Sequence, residues 1–151
     1  MTAPFDDPRW DTFGLLKEAF LALDERFAEV ATRAAGIDRH VLDLLIRVAR
    51  SPDATARPTD LADALALAPS HITRCLDDAE ARGLVERRAH PSDGRSTLIT
   101  LAPGGVALLR RVEAPLASAR NSLIHDQLSD VELATLEDAL RRLRDRARRT
   151  S

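Results

Sequence analysis

The sequence contains no tyrosine, one tryptophan, one methionine and one cysteine, and its 22 basic residues include a single lysine, Lys17. The lone Cys75 excludes an internal disulfide and any zinc cluster built from cysteines of one chain. No apolar stretch approaches the roughly 20 residues of a membrane-spanning helix. The start, MTAPFDDPRW, lacks the basic-then-apolar order of a signal peptide. A cytoplasmic protein with no membrane partner is therefore expected. Excess positive charge is also missing. With a net charge of −2 and a pI near 6.1, the whole surface is not built to bind nucleic acid, so any such contact must be local. Since arginine carries nearly all of the positive charge, arginine content by itself says nothing about DNA.

Catalytic and metal-binding patterns are equally scarce. His40, His71, His90 and His125 form no i, i+4 pair and no His-carboxylate cluster. GIDRH and APGG suit helix ends better than phosphate loops, and no motif specifies a nucleophile or an acid/base pair. No enzyme activity, metal or cofactor is expected.

The 151 residues, 44% hydrophobic and 30% charged, have the length and composition of a single globular domain spanning 1–151. From Trp10, the residues Phe13, Leu16, Phe20, Leu23, Phe27, Val30 and Ala34 recur at steps of three and four, the seam of a long helix that Gly36 stops. The seam can face its own core. At ~25 residues and ~37 Å, however, the helix outruns one small domain, which favours a partner chain.

Asp38 caps a second helix with Val41, Leu42, Leu44, Leu45 and Val48 inward, and RSPDATARPT then reads as a loop. A short helix capped by Thr59 follows, with Leu61, Ala62 and Leu65 inward. After a turn near Leu67 and Ala68, Pro69 opens another helix. Two short helices about a tight turn make a helix-turn-helix. In the second, Ile72, Cys75, Leu76 and Ala79 share one face, and Ser70, Thr73, Arg74 and Asp77 share the opposite one.

Gly83 ends that helix. LVERRA and STLITL then flank the Pro91 to Arg95 loop, with Asp93-Gly94 as the hairpin signal. Pro103 begins a helix with Leu109, Val112, Leu116, Ala119 and Leu123 at heptad spacing and Pro115 as a kink site. A capping box, Ser129 to Glu132, starts the last helix, whose seam is Leu133, Leu136, Leu140 and Leu143. Its terminal arginines, 141 to 149, suit the macrodipole better than a DNA patch.

The expected fold is mainly α, a winged helix-turn-helix with a two-stranded β wing. The winged-helix part covers 37–102, and dimerisation helices at 8–36 and 103–148 flank it. In a winged helix the recognition helix enters the major groove and the wing lies along the backbone or minor groove. A guanidinium at the wing tip, Arg95, suits the negative minor groove over A·T steps. Asp93 would repel phosphate and is assigned to bracing the wing or pairing with Arg95.

The stretch from TDLADALALAPSHITRCLDDAEARGLV through ERRAHPSDGRSTLITLAPGG resembles the core of the MarR family of bacterial transcription regulators, notably in EARGLV, the Asp93-Gly94-Arg95 wing and LITLAPGG. The resemblance implies a homodimeric regulator, more often a repressor than an activator, on a pseudo-palindromic double-stranded DNA operator. It also implies relief by a small, often aromatic or phenolic ligand. It places Ser70, His71, Thr73 and Arg74 near major-groove bases and phosphates, Arg95 in the minor groove, Asp93 as a brace, and Arg87 and Arg88 at the DNA backbone. Ala68 and Ala102 stand where that family commonly has a capping Ser or Thr, forfeiting ~1 kcal/mol at each cap. Asp77 and Asp78 either weaken phosphate attraction or read a cytosine amino group. Two other readings stand beside this one: a winged-helix protein-interaction scaffold, and a redox-responsive regulator acting through Cys75.

Overall fold

The computed structural model describes residues 6–90 and 93–149, with backbone alone at 93–95. The chain divides into two compact units, one up to Leu116 and one from Ala117 onward, and the division falls within a helix.

The first unit opens with helix α1 (Arg9–Ala35), which ends where Gly36 takes a left-handed conformation at φ 68° and its N–H donates to the Thr32 carbonyl. Asp38 then caps α2 (Arg39–Ala49) by accepting the His40 N–H at 2.8 Å. All five inward residues expected of α2, Val41, Leu42, Leu44, Leu45 and Val48, are buried. Each contributes on the order of 2 kcal/mol by leaving water, which makes this helix the centre of the core.

The segment read as a loop does more than connect. After a 3-10 turn at Pro52–Ala54 it forms a two-residue strand, β1 (Thr55–Ala56), pairing antiparallel with β3 (Asp93–Leu101), which also pairs with β2 (Val85–His90). The sheet thus has three strands in the order β1-β3-β2, so the two-stranded wing hairpin carries a short third strand at its base. The pairing sets Ala56 opposite the fully buried Ile99.

Helix α3 (Pro58–Leu65) starts two residues earlier than its sequence signal. Extended Arg57 holds the cap position without a side-chain bond and Pro58 stands first, so Thr59 lies inside the helix and caps nothing. Proline fixes the first helical φ and needs no N–H there, which displaces the threonine. Ala66 turns the chain in the left-handed region at φ 52°, and α4 (Pro69–Ala81) follows from an uncapped Ala68. The helix α5 (Pro103–Leu123) begins against the α4–β2 junction, where the Ala102 N–H donates to the Leu84 carbonyl at 3.0 Å. Pro115 lies within α5, and Leu108 and Val112 are its buried leucine and valine.

In the second unit, after a 3-10 turn at His125–Gln127, helix α6 (Asp130–Arg148) opens with the expected capping box: Ser129 and Glu132 each bind the other's backbone N–H. No residue of α6 is buried, and Leu136, Leu140 and Leu143 are exposed.

Candidate nucleic-acid interface

Helical spacing decides what α4 shows to solvent. Ile72, Cys75, Leu76 and Ala79 enter the core, and Ser70, Thr73, Arg74 and Asp77 lie exposed on the opposite side. The Thr73 hydroxyl donates to the Pro69 carbonyl at 3.0 Å, leaving its lone pairs to accept. Among the described residues Arg74 makes no ion pair, so its guanidinium projects with its donors available. His71 is different. It is half-buried, and its ring meets the His40 ring edge to face at 4.8 Å, which turns it toward α2 rather than along the polar face.

The acidic residues of α4 are all engaged. Asp78 accepts from Arg82 at 2.9 Å one helical turn on, and Asp77 and Glu80 accept from the two terminal nitrogens of Arg87 at 2.7 and 2.5 Å. The Asp77 hydrogen bond is the leading reason that the Arg87 guanidinium is held above its ordinary pKa. Several arginines between 82 and 111 are therefore not free cations. Arg82 and Arg87 are neutralised by α4, Arg88 pairs with Glu86 at 2.8 Å, and Arg111 donates to the Ala35 carbonyl at the end of α1.

Strand alternation separates the two arginines that the sequence sets side by side. Val85 is buried opposite Leu101, and Arg87 lies opposite Ile99, so period two puts Val85 and Arg87 on the face toward the core and α4. Glu86 and Arg88 occupy the other, solvent face. The strand register, with Val85 buried and Arg87 two residues on, is what tells the two apart.

At the wing, His90 pairs with Asp93 while Ala89 pairs with Thr97, so a bulge in β3 absorbs residues 94 to 96. Asp93 and Gly94 thus belong to the strand and not to the turn that their sequence signals. Pro91 and Ser92 lie outside the described residues, as do the side chains of Asp93 and Arg95.

Cys75 is 5% exposed, and burial pushes its thiol up, lowering the thiolate fraction that oxidants attack. Among the described residues no group of three or more His, Cys, Asp or Glu side chains could hold a metal ion, and no helix is long and apolar enough to cross a membrane.

Comparison with known proteins bears on this geometry. The family model of the MarR family matches residues 35–96, from the end of α1 into the wing. A putative transcriptional regulatory protein for the hcr operon of Thauera aromatica is 28% identical over 85% of this chain and 75% of its own length. The transcriptional repressor MprA of Escherichia coli is 31% identical over 76% of this chain, and the match spans 64% of that repressor. Among solved structures, the MarR family transcriptional regulator Sco3205 of Streptomyces coelicolor, in complex with DNA, superposes with a TM-score of 0.79 at 25% identity, covering 89% of this chain and 84% of that one. The fold of AbsC from the same organism gives a TM-score of 0.81 over 98% of this chain and 97% of that one, at 21% identity. From the end of α1 into the wing, this winged helix-turn-helix matches the MarR family, and its relatives and structural neighbours are transcriptional regulators, several of them MarR family members.

Proposed function

We propose that the protein is a homodimeric repressor that occupies a pseudo-palindromic DNA operator through two winged helices, and that a small aromatic or phenolic ligand relieves repression. The observation that carries the reading is the outward face of α4. Ser70, Thr73 and Arg74 stand exposed on one side of a helix, the reach and chemistry that a major groove requires. Arg74 is the base-reading or phosphate-binding cation, and Ser70 and Thr73 supply hydroxyls. His71 contributes by setting the start of α4 against α2. Arg88, on the solvent face of β2, reaches the DNA backbone, Arg95 enters the minor groove and Asp93 braces the wing. The winged-helix part is 37–102.

Apolar surface supports the dimer. On α1, Trp10 is 49%, Phe13 61% and Phe20 63% exposed at steps of three and seven, and α6 separately exposes Leu136, Leu140 and Leu143. Large apolar side chains repeated at helical spacing mark a face that another chain covers. The repressor assignment draws on the relative named as a repressor, and ligand relief on a MarR-fold neighbour, CouR of Rhodococcus jostii, solved bound to p-coumaroyl-CoA.

The test is transcription in vitro. Duplexes selected by the full-length protein from a random-sequence pool are placed over a promoter, and sedimentation gives the protein's mass. A dimer that lowers transcript yield, with recovery on adding phenolic carboxylates or their thioesters, is the expected result. A monomer, or unchanged yield at saturating protein, overturns the reading.

A further inference from the structure

The Arg87 fork deserves a role of its own, since its two carboxylate partners lie on the recognition helix. Asp77 shares the outward face of α4 with Ser70 and Arg74, and Glu80 lies one turn along on the flank. Arg87 sits on β2 with its side chain turned toward α4 by the register that buries Ile99 opposite it. A planar guanidinium that donates one nitrogen to each of two carboxylates fixes direction as well as distance, which a single charged contact does not.

Resting on the DNA-binding reading above, we infer that Arg87 is a positioning residue for sequence recognition: by bridging Asp77 and Glu80 it sets the recognition helix against the wing strand and holds the Asp77 carboxylate away from incoming phosphates, without itself touching DNA. Deleting carboxylates from a DNA-facing helix should tighten binding on charge alone. Here the same deletion releases the helix from the wing.

The experiment compares four forms of the full chain, wild type, Arg87→Lys, Arg87→Ala and Asp77→Asn/Glu80→Gln, together with a fifth that adds Arg87→Ala to the carboxamide pair, on a duplex selected from a random pool and on a scrambled one across salt concentrations. Thermal unfolding verifies that each variant is folded. A positioning role predicts that all three variants lose about 5- to 30-fold in preference for the selected duplex, that the salt slope of Arg87→Ala equals that of wild type, and that Arg87→Ala adds no further loss in the Asp77→Asn/Glu80→Gln background. A slope reduced by about one in Arg87→Ala, Arg87→Lys behaving as wild type, or tighter selective binding by the carboxamide variant overturns it, making Arg87 a phosphate contact. A pool that enriches no sequence overturns the DNA-binding reading itself, an outcome distinct from any change among the variants.

Discussion

Arg39 at the start of α2 donates through one nitrogen to both carboxylate oxygens of Asp24 on α1, each at 2.6 Å. Each side chain is about one-third exposed, so the pair is neither a fully screened surface bridge nor a fully desolvated one. The Arg39 guanidinium is held above its ordinary pKa first by this hydrogen bond, and its Nε is buried with no partner among the described residues. Asp24→Ala should therefore cost about 1–2 kcal/mol, above the usual worth of an exposed pair, because it leaves a partly desolvated cation alone. Replacing both residues, Asp24→Leu with Arg39→Met, should recover most of that loss. Urea denaturation of the two variants measures the difference. An equal loss in both would mean that packing, not charge, links α1 to α2.

Gly105 offers a sharper stability test. A Cβ there would stand 2.1 Å from the Leu84 carbonyl oxygen, and one at Gly104 2.6 Å from that of Gly83. Helix propensity favours alanine over glycine by about 1 kcal/mol, but the clash is with backbone that cannot step aside. Gly105→Ala should destabilise by about 1–3 kcal/mol through forced backbone shifts and lower Tm accordingly. A rise in Tm would show that α5 does not press on the α4–β2 junction as described.

The capping box makes a pH prediction. The Glu132 carboxyl is held below its ordinary value of 4.5, first by the Ser129 backbone N–H and then by the Ser129 side chain. A depressed native pKa means that the unfolded chain binds the proton more readily, so the contribution of Glu132 is complete above pH 4.5 and is lost as pH falls through the lower native value. Carboxyl carbon NMR should show a Glu132 midpoint below the ordinary glutamate value of 4.5. In Ser129→Ala the midpoint should move upward. An unchanged midpoint would detach the carboxylate from the cap.

On DNA, Arg74→Ala should cost about 1–3 kcal/mol in affinity for a selected duplex and relax preference at one base position. Arg95→Ala should cost a similar amount, with the loss concentrated on duplexes whose flanks are A·T-rich. Anisotropy titrations with matched and flank-altered duplexes check both. Uniform weakening on every sequence would reduce either arginine to a phosphate contact.

Much of this was legible from residue spacing. The inward sets of α2 and α4, the Asp38 cap, the Gly36 stop and the Ser129–Glu132 box each follow from local rules that the fold leaves intact. What escaped depends on partners distant in sequence. β1 is only two residues long and exists because β3 offers Ile99 and Thr100 as partners, so no periodicity announces it. Asp93-Gly94 carries a hairpin signal, yet strand pairing with His90 and a bulge move both residues into β3. His71 lies among the recognition-helix residues in sequence, and only the meeting of α2 with α4 shows that its ring packs on His40. Arg87 and Arg88 look equivalent as adjacent letters. Strand alternation sends them to opposite faces.

Fluorescence anisotropy of the full-length protein on a selected and a scrambled duplex, at low and near-physiological salt, decides whether α4 and the wing form a sequence-reading DNA surface. Affinity at least a thousandfold tighter for the selected duplex, on the order expected of specific binders, with both affinities falling as salt rises, is the predicted result. Equal, weak binding to both duplexes would contradict it.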